Sequence, residues 1–432
     1  MTDNRSLKKV VMGSFIGGLI EWYDFFLYGT AAALVFNKIF FDNTDPLVGT
    51  LLSLTTFAIG FISRPLGGII FGHFGDKIGR KKVLILTIYI MGLSTFLIGL
   101  LPSAQSIGIW APILLCTLRV LQGIGIGGEY GGAALMTIEH SPESKKGFWA
   151  GLPQSSSSAG ILLSTGIFTL VSKLPDAQFL SWGWRIPFLI SILLLFIGVF
   201  IRTNVEESPD FKKNVLDKND EAKMPVVELL RTDLKSVLIT LGARFGEGIS
   251  SNIFNVFTIA YISTQLKFNT TVSTTGIMIA SAIGIFACPI FGAISDKVGR
   301  RIIYMISAFF VMAFSFPFFA LINTKVPGII ALAIIVAYTF GPTMMFSVQS
   351  VLFAEQFETK VRYTGLSIAY QFSSILGGLT PLIATSLLVP LDGKPWLVSL
   401  YLLIVGLISF VSALFTKDSV KRKSRKNERI TA

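Results

Sequence analysis

The chain has 432 residues, of which 52% are hydrophobic and only 14% charged, and its mean hydropathy is +0.68. Soluble globular proteins carry about a quarter charged residues, so this composition excludes a set of soluble domains and indicates an integral membrane protein. The net charge of +12 is spread over short loops and a tail, which argues against nucleic-acid binding. We therefore expect the lipid bilayer, and no nucleic acid, as a partner.

Twelve apolar segments are long enough to cross a bilayer as helices, which takes about 20 residues each. The first could be mistaken for a signal peptide, but Glu21 and Asp24 interrupt it before any cleavage site. The predicted spans are 10–36, 48–72, 83–101, 111–137, 148–172, 183–202, 236–264, 272–294, 302–322, 327–351, 363–390 and 395–416. The sequence thus predicts an all-α membrane protein.

A charged stretch with two prolines falls almost midway along the chain. It predicts four parts: an N-terminal six-helix bundle over 1–202, a cytoplasmic linker over 203–235, a C-terminal six-helix bundle over 236–416, and a basic cytoplasmic tail over 417–432. Most of the 37 Lys and Arg residues lie on the side of the N-terminus. Because cytoplasmic loops are enriched in these residues, we expect both termini in the cytoplasm and the protein in the cell's inner membrane.

One basic turn occurs twice at corresponding places in the two halves. Gly72-His-Phe-Gly-Asp-Lys-Ile-Gly-Arg-Lys-Lys82 is repeated as Gly292-Ala-Ile-Ser-Asp-Lys-Val-Gly-Arg-Arg301. A long repeat present in two copies is typical of a duplicated half-protein. Glycines in such a turn allow positive φ and close backbone approach.

Charged residues inside the predicted spans mark candidate functional positions, since each costs about 2.5–3.5 kcal/mol at mid-bilayer. Asp24 in the first span and Arg119 in the fourth are predicted to form a pair that can switch its contacts, with Glu21 and Glu129 as further candidates. The alternative is a set of buried ion pairs that only fix helix packing, and we favour that interpretation for Arg64. Trp22 and Trp182, near span ends, are interpreted as interfacial anchors.

Polar residues at helical spacing in several other spans predict a shared internal cavity. The candidate substrate-binding residues are Tyr28, Gln122, Gln154, Ser158, Arg244, Glu247, Asn255, Tyr370 and Gln371. Arg244 could hold a carboxylate or merely neutralise Glu247, and both interpretations stay open. No catalytic constellation is visible, and we expect neither enzymatic activity nor a cofactor or metal. The glycine-rich run 123–128 lies in an apolar span without a preceding strand, so it does not predict a dinucleotide site.

The repeated turn resembles the signature of the major facilitator superfamily. Four further stretches resemble its metabolite:proton symporter family, and shikimate transporters within it: Glu21-Trp-Tyr-Asp-Phe25, Ser63-Arg-Pro-Leu-Gly-Gly68, the run from Arg119 to Glu129, and Trp182-Gly-Trp-Arg-Ile-Pro187. The resemblance implies twelve helices in two pseudo-symmetric six-helix bundles, alternating access and proton coupling. It implies that Asp24 and Arg119 form the proton-coupling pair, to which Glu21 and Glu129 are added as candidates. It also implies gating by Asp76 and Arg80, and by Asp296 and Arg300, with Asp76 contacting the opposite half near Arg362 and Asp296 near Lys146.

Together these features predict a monomeric, proton-coupled importer of a small organic acid, such as shikimate or a related hydroxy or keto carboxylate. The tail is too short for the coiled coil that often ends the osmolyte-transporting branch. A carrier of zwitterions such as betaine or proline is the first alternative. A substrate receptor that keeps the carrier fold without transporting is the second, and a membrane-embedded enzyme the third.

Overall fold

The computed structural model describes residues 4–42, 44–68, 70–71, 80–127, 130–203, 229, 233–358 and 362–417. Every regular element in these ranges is helical, in agreement with the predicted all-α class. The proposed linker over 203–235 and the tail over 417–432 lie almost wholly outside them, so their boundaries remain a prediction.

The described residues form twelve long helical segments, some of them interrupted. They are α1 (Asn4–Leu34), α2 (Pro46–Ile62, continuing to residue 68), α3 (Arg80–Leu100), α4 (Trp110–Gly127 and Tyr130–His140), α5 (Lys146–Gln154 and Ser156–Val171), α6 (Arg185–Thr203), α7 (Leu234–Asn252, a π-helical turn Ile253–Phe257, and Thr258–Thr264), α8 (Thr270–Val298), α9 (Arg300–Ile322), α10 (Pro327–Tyr338, a π-helical turn Thr339–Thr343, and Met344–Ala354), α11 (Arg362–Ser386) and α12 (Trp396–Leu414). Each corresponds to one predicted span.

Length and composition alone identify nine membrane-spanning helices among the described residues. The three segments that this criterion misses are α3, α5 and α7, of which α5 and α7 are broken and carry many polar residues. Large apolar side chains cover the outer surface, including Phe196, Phe200 and Phe286, which are 65–70% exposed. An apolar surface of this extent suits contact with lipid rather than water.

Specific residues set where the helices begin, end and bend. Asp45 caps α2 by accepting a hydrogen bond from the Leu47 amide at 2.9 Å. Gly299, in the second copy of the repeated turn, has φ of 110° between α8 and α9, a conformation that glycine adopts readily. Gly341 in α10 has non-helical dihedral angles (φ −87°, ψ −108°) next to Pro342, and the Ser307 hydroxyl lies 2.6 Å from the Gly341 carbonyl oxygen.

Glycines let α4 approach α2 very closely. A methyl group on Gly123 would collide with the Gly60 carbonyl oxygen, and one on Gly127 would collide with the Arg64 carbonyl oxygen. Small residues at such crossings allow helix backbones to touch in membranes. The glycine-rich run 123–128 is therefore explained, over its described part, by helix packing.

The packing has the two-fold character that the repeated turn predicts. Within the halves, α1 packs on α5, α3 on α6, α7 on α11 and α9 on α12. Between the halves, α5 packs on α8 and α2 packs on α11. These two crossings are equivalent under the repeat, since α2 corresponds to α8 and α5 to α11. Several of the candidate functional residues lie where the halves meet, among them Glu247 and Gln371.

Candidate functional site

Asp24 of α1 is completely buried, with 0% of its surface exposed. Neither carboxylate oxygen has a hydrogen-bond partner among the described residues. The Thr95 hydroxyl of α3 lies beside it but donates its proton to the Met91 carbonyl oxygen at 3.0 Å. An isolated buried charge is very costly, so this position favours a carboxyl group that gains and loses a proton.

Arg119 of α4 lies nearby but does not form an ion pair with Asp24 in this conformation. Its Nη1 donates to Gln122 Oε1 at 2.6 Å, and its guanidinium stacks on the Tyr28 ring with Cζ 4.1 Å from the centroid. Gly60 of α2 provides the space for the Arg119 side chain. The two charges still act on each other electrostatically, but the direct pairing that the sequence predicts is replaced by an indirect one.

The indirect connection runs through two neutral side chains. Gln122 accepts from Arg119 and donates through Nε2 to the Thr95 hydroxyl oxygen at 2.7 Å. Thr95 in turn faces Asp24. A hydroxyl both accepts and donates, so rotation of the Thr95 hydroxyl toward an ionised Asp24 would connect the carboxylate to Arg119. Nothing in the sequence pattern singled out Thr95.

We expect Thr95→Val to slow uptake driven by a pH gradient about 2- to 10-fold, the loss that corresponds to one hydrogen bond of about 0.5–1.5 kcal/mol. The substitution keeps the shape of the side chain and removes only its hydroxyl. Initial uptake rates in proteoliposomes measure the effect. Ser94→Ala is the matched control, since Ser94 donates only to the Ile90 carbonyl oxygen of its own helix among the described contacts. Equal rates for Thr95→Val and wild type would contradict this indirect connection between Asp24 and Arg119 through Thr95 and Gln122.

In the other half, Arg244 and Glu247 of α7 form a buried ion pair. The Arg244 guanidinium also stacks on the Tyr370 ring of α11, with Cζ 4.4 Å from the centroid. Both side chains of the pair are about 95% buried. The ion pair shows that Arg244 neutralises Glu247 in this conformation, and the stacked face leaves the second interpretation, carboxylate binding, open as well.

Arg64 lies much deeper in the protein than its sequence position suggested. It is only 3% exposed, and its Cζ lies 4.4 Å from the centroid of Phe61 and 5.3 Å from that of Phe25. Glu21, Tyr370 and Arg244 are close enough to act on it electrostatically. The structure therefore places Arg64 between the halves, and its proximity to the predicted span end was misleading.

Two small cavities lie between the halves. The larger, of about 50 Å³, is lined by Glu21, Gln154 and Ser350 among others, and the smaller, of about 10 Å³, is lined by Glu247, Ser251 and Tyr338 among others. The smaller has room for about one water molecule, and both are far below the 300–1,000 Å³ of typical ligand pockets. A solute can enter only after the halves move apart.

Trp22 contributes to the walls of both cavities. Its indole lies 5.5 Å from the Phe346 ring of α10 and stacks on Phe26. Its interpretation as an interfacial anchor is therefore wrong, because Trp22 lies near the middle of α1 and packs against α10 of the other half. Trp182, at 48% exposed, lies at the edge of a span.

The remaining candidate substrate residues divide into two groups. Tyr28 and Gln122 are bonded within the first half, where Tyr28 donates to the Thr56 hydroxyl oxygen at 2.7 Å. At the interface, Ser158 packs against Gly284, and Gln371 donates to the Gly127 carbonyl oxygen at 2.9 Å. Asn255 is fully buried in the π-helical turn of α7, and neither amide atom has a described partner.

Gln349 of α10 has the same character as Asn255. It is 0% exposed, and both of its amide atoms are without partners among the described residues. Sequence reasoning missed it because it stands alone in an apolar span, without a second polar residue at helical spacing. Its neighbour Ser350 lines the larger cavity, so this part of α10 is another polar wall of the interface.

The second copy of the repeated turn joins the halves at one face, which we name the N-terminal face because α1 begins there and α8 ends there. Asp296 accepts hydrogen bonds from the Gly147 amide at 2.8 Å and the Phe148 amide at 3.0 Å, at the start of α5. Arg300 bonds to Asp296 at 3.2 Å and pairs with Glu355 of α10. This is the location that the resemblance implies for Asp296.

The other candidate gating residues have different positions. The Lys146 side chain pairs with Glu143 rather than with Asp296, so the backbone after it makes the contact. Arg362 lies at the start of α11, where its Nε donates to the Phe357 carbonyl oxygen at 3.5 Å. Asp76, the Arg80 side chain and Glu129 lie outside the described residues, and the predictions for them stay predictions.

Comparisons with known proteins agree with this geometry. Residues 14–381 match the family model of the Major Facilitator Superfamily. The chain is 40% identical to the shikimate transporter of Escherichia coli (strain K12), covering 95% of both chains. It is 35% identical to the proline/betaine transporter of the same strain, covering 97% of this chain and 85% of that one.

Solved structures show the same fold. The E. coli proton:xylose symporter XylE, bound to 6-bromo-6-deoxy-D-glucose, superimposes with a TM-score of 0.73 at 18% identity over 96% of both chains. The interpretation as a membrane transporter rather than an enzyme is thereby confirmed, as is the predicted architecture. The chain belongs to the major facilitator superfamily of multi-pass membrane transporters.

Proposed function

We propose that the protein is a proton-coupled importer of a small organic acid, such as shikimate or a related hydroxy or keto carboxylate. The observation that carries proton coupling is Asp24, a fully buried carboxyl group without a hydrogen-bond donor or direct cation. The choice of an organic acid rests on Arg244 at the interface and on the similarity to a shikimate transporter. Arginine binds carboxylates through two parallel hydrogen bonds.

Transport proceeds by alternating access between the two bundles, with residues 203–235 as their linker. Both termini lie in the cytoplasm of a cell with the protein in its inner membrane, and the monomer is the transporting unit. The N-terminal face is then the cytoplasmic face. Protonation of Asp24 removes a charge next to Thr95, which connects Asp24 indirectly to Arg119, and so allows α1 and α4 to move relative to each other. Substrate binding between the halves favours the same rearrangement, which links the two fluxes.

A zwitterion such as proline or betaine is the second candidate substrate. It is favoured by the 35% identity to a proline/betaine transporter over almost the whole chain. A zwitterion carries a quaternary or secondary ammonium group as well as a carboxylate, so it needs a partner for positive charge. Glu247 and the aromatic walls at Trp22 and Phe346 could supply one.

Uptake into proteoliposomes decides between these functions. We expect purified protein to accumulate labelled shikimate or another acid from a panel of hydroxy and keto carboxylates when the exterior is made acidic, and to stop when a protonophore collapses the gradient. Accumulation of proline or betaine, but of no organic acid, would show that the substrate is a zwitterion. Binding without accumulation in well-reconstituted vesicles would indicate a receptor.

A further inference from the structure

Arg64 is a buried guanidinium group whose binding capacity is unused in this structure. The side chain is 97% buried in α2, yet none of its nitrogen atoms forms a hydrogen bond to any described residue, and Nε is both fully inaccessible and without a partner. Arginine has five N–H donors and stays charged. Burying the Nε–H group without a hydrogen bond is costly, which points to a partner that joins in another step of the cycle.

Aromatic rings fix where Arg64 lies. The rings of Phe61 and Phe25 pack on the guanidinium group, and Gly378 of α11 lets Phe61 press against the opposite half. These contacts stabilise the cation from its face and leave its hydrogen-bonding edge for a ligand. By comparison, Arg185 also stacks on an aromatic ring but donates to the Gly99 and Leu101 carbonyl oxygens. The hydrogen-bonding edge of the Arg185 guanidinium group is therefore occupied by backbone carbonyl oxygens.

A second arginine, from the other half, lies within electrostatic range of Arg64. Arg244 stacks on Tyr370, and Arg64 lies within electrostatic range of both. Two like charges repel each other unless an anion lies between them. Glu247 already pairs with Arg244, and Glu21 is the strongest charge acting on Arg64, although no ion pair within 4.0 Å joins the two among the described contacts.

We propose that Arg64 binds the carboxylate of the transported acid, together with Arg244, and so determines specificity for anions. This inference rests on the proposed function and extends it to a residue in the first half. The carboxylate would bridge α2 of one bundle and α7 of the other. Because this bridge exists only when the anion is bound, it stabilises closure of the two halves around the substrate but not around an empty site.

The test compares two probes that differ only in charge, shikimate and its carboxamide, by equilibrium binding to the purified full-length protein. Wild type should prefer the carboxylate. Arg64→Gln should weaken shikimate binding about 10- to 100-fold, the range expected for hydrogen bonds to a charged group, and should change carboxamide binding less than about twofold. Arg64→Lys keeps the charge without the planar fork and should fall between them.

Two further variants separate binding from a merely structural role. Arg185→Lys, at the stacked arginine outside the interface, should leave both affinities unchanged. If Arg64 only balances the charge of Glu21, the double substitution Glu21→Gln/Arg64→Gln should restore shikimate binding, and that result would overturn the proposal. An unchanged ratio of the two affinities in Arg64→Gln, or in Arg64→Lys should the first variant not fold, would also overturn it. Wild-type protein that binds proline or betaine but no carboxylic acid would instead overturn the proposed function.

Discussion

Asp24→Asn is expected to abolish accumulation of the substrate in response to a pH gradient. Asparagine keeps the size of the side chain but cannot take up or release a proton, so the pH gradient no longer has a group to act on at this position. The site can still bind and exchange solute, since the rest of the interface is unchanged. Net accumulation should fall to the level of vesicles without the protein, while exchange of internal unlabelled solute for external labelled solute persists.

Two controls support the interpretation. Asp176→Asn removes an exposed carboxylate from the segment between α5 and α6, and should accumulate solute as wild type does. Asp24→Glu retains a titratable group and should recover part of the activity. Accumulation by Asp24→Asn that still follows the pH gradient would assign the proton to another group, with Glu21 as the first to test.

Asp296→Asn is expected to open the N-terminal face and to slow transport severalfold. The carboxylate accepts two backbone hydrogen bonds at the start of α5, and an anion at a helix N-terminus contributes about 0.3–1 kcal/mol, and up to about 2 when partly buried. The amide can accept only one of these bonds and carries no charge. A change of that size moves a two-state equilibrium up to about 30-fold.

Gly292→Ala should act in the same direction through sterics alone. A methyl group there would meet the Gly147 carbonyl oxygen across the interface, so α8 and α5 could not approach as closely. Gly328→Ala is the matched control, because an added methyl group meets nothing within 4 Å.

Paired spin labels measure both gate variants directly. Labels at Ser144 and Lys297, exposed residues on either side of the contact, can be placed after replacement of Cys116 and Cys288, the free cysteines of the described chain. The distance distribution should shift to longer values in Asp296→Asn and Gly292→Ala, and remain unchanged in Gly328→Ala. Unaltered distances together with normal transport would show that the repeated turn does not act as a gate and only sets the orientation of the helices in the membrane.

The sequence could predict the architecture because hydrophobic length and an internal repeat depend on the chain alone. Twelve apolar segments and one turn found twice are enough to indicate two related bundles. Helical spacing also indicated that Glu247 and Arg244 share a face. Helical spacing could not show how deeply a side chain is buried or which residues of other helices it contacts, because both depend on how each helix is shifted along its neighbours.

The individual errors follow from that limit. Trp22 and Arg64 were assigned from their distance to span ends, but distance along the chain does not show which side chains face the opposite half, as these two do. Thr95 was missed because a single threonine in an apolar helix usually bonds to its own backbone, as Thr95 also does. Its second role depends on Gln122, a residue of another helix, and no pattern within one helix can reveal such a contact.

The buried amides of Asn255 and Gln349 have a kinetic consequence. Their polar atoms are unpaired within the described structure, and each unsatisfied group costs about 1–3 kcal/mol. Hydroxyl groups of a bound solute can satisfy them, whereas an empty protein passing through the same conformation carries the full cost. We therefore expect the return of the unloaded form to be the slower half of the proposed transport cycle, so that solute on the far side of the membrane speeds turnover.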